Sequence, residues 1–297
     1  MARSAMGRRT FCAALAAGAA ALVAGCAAEP APGEADAAAP DAAFGAGPRA
    51  VDGYELVPGE RTDRGFVADE TLTTSDGHAL HFSLSVPDGY DGSAPYGLYV
   101  ACPGWEGLYF QGVGANLAED FPFVARDYVD DLIVASPQLD GWDEQSAFDV
   151  IELTEWLLSA YNVDAARVWL SGCSGGGETI SYALGLRPEL YRRALHAISR
   201  WDGSIDALAA AEVPVYLAIG ENDDYYGSEL AREAAEQMRA AYRARGLSEG
   251  RIDELVVLDV KPTSYFVERG LDEGASQHAG GGALFPHDEQ IMGWLFQ

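Results

Sequence analysis

The chain has 297 residues, 48% of them apolar, with 46 acidic against 19 basic side chains and a formal charge of −27. That apolar share supports a sizeable core and excludes wholesale disorder, and the length fits one large domain or two small ones. The acidic balance, with Lys261 the only lysine, excludes nucleic acid and other polyanions as partners, because phosphates are bound by clustered Lys and Arg.

Residues 1–25 read as an export signal. Arg3, Arg8 and Arg9 precede an apolar run over residues 11–23, which is shorter than the roughly 20 residues that span a bilayer. Arg8-Arg9-Thr10-Phe11 resembles a twin-arginine signal. Val23-Ala24-Gly25-Cys26 resembles a lipobox, in which Cys26 becomes the lipidated first residue of the mature chain. Residues 26–50 are Ala, Pro, Gly and acids without periodicity, and read as a disordered tether. The folded domain is then 51–297, held through a lipid at the outer face of the cell membrane. It keeps Cys102 and Cys173, too few for a disulfide framework; whether they pair is open.

From residue 51 onward strands and helices alternate. Residues 66–73 and 78–86 are β-rich runs around the turn signal Ser75-Asp76-Gly77, which predicts a hairpin. Residues 96–101 and 132–135 are compact apolar runs, as in buried strands. Residues 147–161 carry Val150, Leu153, Leu157 and Tyr161 at helical spacing. A strand over 167–170, a helix over 179–186, and strands over 194–198 and 215–219 follow. A long amphipathic helix over 229–245, a strand over 254–260 and a closing helix over 289–296 complete the chain. This order predicts an α/β fold with a mainly parallel sheet covered on both faces and opened by an antiparallel hairpin.

The segment Gly172-Cys173-Ser174-Gly175-Gly176 is a Gly-x-Ser-x-Gly motif between a strand and a helix. Small residues two before and two after the serine allow a turn so tight that the hydroxyl stands above the sheet. A phosphate-gripping loop is disfavoured because no Gly-Lys-Ser/Thr follows. Ser174 is therefore the candidate nucleophile. In the chain order Ser, acid, His, only His278 and His287 of the five histidines come late enough. His278, in Gln277-His278-Ala279-Gly280-Gly281-Gly282, is preferred on the expectation of a flexible loop after the last strand. The acid is Asp223, after the strand over 215–219, with Asp224 and Asp202 as alternatives. The oxyanion donors are the N–H of Gly175 and, on the loop Cys102-Pro103-Gly104-Trp105, that of Trp105. Pro103-Gly104 stands where His-Gly is usual. No cofactor or metal is implied; His78-x-x-His81 offers too few ligands for zinc.

Residues 64–297 resemble the α/β-hydrolase superfamily in strand order, elbow, acid and histidine. The phrase Tyr161-Asn162-Val163-Asp164, Arg167-Val168 and the elbow is similar to secreted polyester-depolymerase-type and feruloyl-type esterases and to prolyl-oligopeptidase-like catalytic domains. That resemblance implies a serine hydrolase acting on a small or polymer-attached ester through an acyl-enzyme. A peptidase of the same fold is the alternative, and a lipoprotein binding module with a relic triad is a third reading. The short connection between the strands over 194–198 and 215–219 implies no separate cap domain. Tyr109, Trp201, Tyr225 and Tyr226 are candidate substrate contacts, and the oligomeric state is open.

Overall fold

The computed structural model describes residues 44–75 and 77–297, so the signal, the lipobox and most of the tether lie outside the described residues. A ten-stranded sheet organises them. Its strands are β1 (Tyr54–Val57), β2 (Arg61–Asp63), β3 (Phe66–Thr74), β4 (Ala79–Ser85), β5 (Tyr96–Cys102), β6 (Leu132–Gln138), β7 (Val163–Cys173), β8 (Arg193–Ala197), β9 (Val215–Gly220) and β10 (Val256–Lys261). The spatial order is β1-β3-β4-β6-β5-β7-β8-β9-β10, with β2 against β3. Strands β3 and β4 form the expected antiparallel hairpin, and β4 joins β6 antiparallel. From β6 to β10 every pairing is parallel.

Period-two alternation gives the sheet a core on each face. On β5, Leu98, Val100 and Cys102 enter one apolar cluster while Tyr99 and Ala101 enter the other. Strand β7 divides Val168 and Leu170 from Trp169 and Cys173 in the same way. All seven residues of β6 are buried, which is why its first four read as a continuous apolar run.

The helices are α1 (Phe121–Val124), α2 (Glu144–Ala160), α3 (Gly175–Leu186), α4 (Ile205–Ala211), α5 (Ser228–Ala244), α6 (Glu249–Leu255), α7 (Thr263–Glu268), α8 (Gln277–Leu284) and α9 (Glu289–Leu295). Helix α2 starts before its apolar pattern does, because Asp143 caps it by accepting the Ser146 N–H at 3.2 Å. Helix α4 is the one helix between β8 and β9, so no cap domain interrupts the sheet. None of the described helices is long and apolar enough to cross a membrane.

Two expectations change here. Residues 44–50, given to the tether by composition, lie against the domain: the Arg49 N–H donates to Ala160 O at 2.9 Å and its side chain to Ser159 O at 2.6 Å. The glycine-rich stretch at 277–282 is a helix, α8, and not a flexible loop. Ser276 caps it by accepting the Ala279 N–H at 3.1 Å. Its glycines serve close packing, since a Cβ on Gly281 would lie 2.4 Å from Ile198 Cγ2. Tertiary contact has overridden a helix propensity that falls by about 1 kcal/mol per glycine.

Candidate active site

Strand β7 delivers Ser174 to the sheet's carboxyl edge, where the chain reverses into α3. Ser174 has φ 52° and ψ −121°, a strained conformation costing on the order of 1–3 kcal/mol. Its surroundings over-determine it. The Ser174 N–H donates to Ala197 O at 3.0 Å, and its carbonyl accepts from the Gly177 N–H at 2.9 Å and from Ser199 Oγ at 2.6 Å. The small flanking residues are a steric requirement: a Cβ on Gly172 would stand 2.2 Å from Gly176 O, and one on Gly176 2.2 Å from Cys102 O.

Three side chains, from the turn between β7 and α3, the loop after β9 and α8, meet in a line. Ser174 Oγ lies 2.9 Å from His278 Nε2, and His278 Nδ1 lies 3.0 Å from Asp223 Oδ2. That pattern assigns the tautomer: Nδ1–H donates to the carboxylate, leaving Nε2 to accept the serine proton. Asp223 Oδ1 accepts the N–H groups of Tyr225 at 3.0 Å, Tyr226 at 2.8 Å and Gly227 at 3.3 Å. Burial raises the Asp223 pKa, but the bonds to His278 and to the backbone outweigh it and hold the carboxyl below the usual range.

The neighbouring acid does different work. Asp224 Oδ1 accepts from Ser276 Oγ at 2.8 Å and from the His278 N–H at 3.2 Å, so it anchors the start of α8 and does not touch the imidazole. Asp202 pairs with Arg200 at 2.9 Å. His287 is half-exposed and pairs with Asp120 at 3.1 Å. His196 is buried against Arg200 O at 3.0 Å, and burial depresses its pKa to about 4, which keeps it neutral. His78 faces Asp149, and His81 faces Asp69.

Ser174 opens into a cleft of about 540 Å³ lined by Trp105, Glu106, Glu119, Asp120, Trp142, Tyr225 and Tyr226 among others. No Lys or Arg lines it. Tyr225 and Tyr226 flank His278, with ring centroids 5.0 and 5.5 Å away. Gly175 N–H and Trp105 N–H, the expected oxyanion donors, each begin a helical turn and so lack an intrahelical acceptor. Neither finds another acceptor among the described residues.

Two expected substrate contacts lie elsewhere. Tyr109 stacks on His81 at 4.0 Å, and Trp201 donates to Gly203 O at 2.9 Å and packs on His196. Neither lines the cleft. Cys102 and Cys173 are both buried free thiols, and burial pushes both above the usual thiol range. Two cleft residues escaped the sequence reading. Trp142 covers Gly175, and its buried indole N–H has no acceptor. Its position in the loop after β6, at the carboxyl edge of the sheet, was the available signal. Glu119 carried none, because it lies in an irregular stretch.

The comparisons agree with this architecture. A model of the prolyl oligopeptidase family matches residues 140–249, from the loop after β6 through α5. A thermostable esterase is 19% identical with a TM-score of 0.63, over 78% of this chain and 62% of its own. The chain thus spans less than two thirds of that protein. A poly(3-hydroxybutyrate) depolymerase from Bordetella parapertussis is 17% identical with a TM-score of 0.55, covering 77% of this chain and 90% of that one. A promiscuous CE15 esterase from the marine bacterial metagenome is 11% identical with a TM-score of 0.51, covering 74% and 83%. No curated protein matches. The chain has the α/β-hydrolase fold.

Proposed function

We propose that this protein is a serine hydrolase that cleaves carboxylic esters through an acyl-enzyme. The observation that carries the reading is the hydrogen-bonded line from Ser174 through His278 to Asp223, at 2.9 and 3.0 Å. In this scheme Ser174 Oγ attacks the ester carbonyl while His278 Nε2 takes its proton. Asp223 holds the imidazole and stabilises the imidazolium as it forms. The N–H groups of Gly175 and Trp105 receive the oxyanion. As the tetrahedral adduct collapses, His278 returns the proton to the departing alcohol, and water then repeats the cycle on the acyl-serine.

The open cleft without a cap domain suits a bulky or polymer-attached acyl or alcohol group. Its carboxylates and lack of Lys and Arg favour neutral or cationic substrates over anions. The expected setting is the outer face of the cell membrane, through a lipid on Cys26. A peptidase is the second reading, favoured by the match to the prolyl oligopeptidase family over residues 140–249. One purified preparation tested on p-nitrophenyl esters, feruloyl and hydroxybutyrate esters, and prolyl and basic dipeptide amides separates the two. Turnover of the feruloyl or hydroxybutyrate esters with dipeptide-amide cleavage at background is the expected result. Efficient cleavage of the dipeptide amides contradicts the ester reading.

A further inference from the structure

Glu119 has none of the roles above, yet its carboxylate lies in the cleft beside the nucleophile. Its Oε1 accepts the Gly104 N–H at 3.1 Å, and the Cys173 thiol is close enough for the carboxylate to raise its pKa further. Both partners adjoin residues of the site: Gly104 precedes Trp105, and Cys173 precedes Ser174. A Cβ built on Gly104 would stand 3.0 Å from Glu119 Oε1 and 3.1 Å from Ser174 Cβ. Loop backbone, carboxylate and nucleophile therefore meet with no spare room.

The segment that carries Glu119 is itself pinned. Asn116, buried, donates to Ser136 O at 2.6 Å and accepts from Ser83 Oγ at 3.1 Å. Arg64 donates to Leu117 O at 2.7 Å and to Asp120 Oδ1 at 3.2 Å. A carboxylate on so fixed a support can fix what it bonds. Because Glu119 occupies the Gly104 N–H, the N–H of Trp105 is the next donor of this loop left open to a reacting oxygen.

We propose that Glu119 is a positioning residue of the oxyanion hole: it holds residues 102–106 against the serine elbow and so presents the Trp105 N–H. The inference rests on the serine-hydrolase reading. Its carboxylate is also held where charge is disfavoured, since burial lifts its pKa to about 7, as expected of a group retained for a task other than stability.

The test compares the full-length wild type with Glu119→Ala and Glu119→Gln on p-nitrophenyl acetate. An interaction felt mainly in the transition state lowers kcat and spares KM. Losing an oxyanion donor outright costs ~10²–10³ in rate, so a donor merely loosened costs about 10–100-fold. Glu119→Ala is expected to lose about 10–100-fold in kcat with KM within about threefold, and Glu119→Gln, which keeps an oxygen acceptor, to recover to within about threefold of wild type. An unimpaired Ala variant, a loss confined to KM, or a Gln variant as slow as Ala overturns the proposal. If Glu119→Ala does not fold, Glu119→Met replaces it, filling the volume without an acceptor and carrying the same expectation. A wild type without ester turnover refutes the hydrolase reading itself. An active wild type beside an equally active Met variant refutes only the role of Glu119.

Discussion

On one side of Ser174 the proposed catalytic groups are side chains in a hydrogen-bonded line; on the other they are backbone N–H groups whose placement depends on a loop. On the first side each member is held by its own turn, Asp223 taking three N–H groups and Ser276 capping α8, while the line itself joins residues 55 and 104 positions apart. On the second side the proposed anchor is a single carboxylate, fifteen positions further along the chain from Gly104. The lesson is that a triad's residue types can be read from short motifs and chain order, whereas the placement of an oxyanion donor depends on which side chain holds its loop. The two sides should therefore fail differently when perturbed.

The largest effect is expected on the side-chain side. Ser174→Ala should lower kcat by about 10⁶-fold, the scale on which triad members act as a unit, and a steady-state ester assay reads it. Asp223→Asn should cost ~10⁴-fold by favouring the wrong imidazole tautomer. Asp224→Asn should cost less than about tenfold, since Asp224 meets only the backbone of His278 and the Ser276 hydroxyl. Equal losses in the two Asn variants would break the assignment.

Gly176→Ala strikes where the two sides touch. Its Cβ would meet Cys102 O at 2.2 Å and Pro103 O at 2.6 Å, so the oxyanion loop must retreat from the elbow. Overpacking of this kind costs about 1–3 kcal/mol. Urea denaturation should show that loss, and kcat should fall even where the variant remains folded. Wild-type stability and turnover would count against the close approach.

The smallest effect is a pH dependence. Glu119 is lifted from 4.5 to about 7, first by burial, with Glu106 adding to the rise and Gly104, Cys173 and His278 opposing it. Between those values the folded protein holds a proton that the unfolded chain has lost, so stability declines as pH rises through that window. His196, depressed to about 4, contributes stability that rises with pH over part of the same window, equally in both proteins. The readout is therefore the difference: the Tm of Glu119→Gln minus that of wild type should increase between pH 5 and pH 8. Asp223 and Asp288 do not confuse this reading. Both are held below their usual range, so their stabilisation is complete in the window and is lost only at lower pH. Parallel Tm curves for wild type and variant would contradict the buried charge.

Legibility in the sequence follows the same division. The sheet was readable because its strands are apolar runs, and the elbow because Gly172 and Gly176 answer a local steric need. His278 emerged from elimination among five histidines, but its helix did not, because the glycines at 280–282 pack against Phe266 and Ile198 rather than favour a helix. Proximity to the carboxyl end of a strand located Trp105, Tyr225 and Tyr226 in the cleft. The same rule misplaced Tyr109 and Trp201, whose rings turn to histidines instead. Glu119 lies in an irregular stretch outside any motif, so no local pattern announces it.

The central claim, that Ser174 is an activated nucleophile, is tested most directly by a fluorophosphonate probe with peptide mass spectrometry at neutral pH. The account predicts a single adduct on Ser174 in the wild type and none in Ser174→Ala. No adduct in the folded wild type, or equal labelling of both proteins, would contradict it.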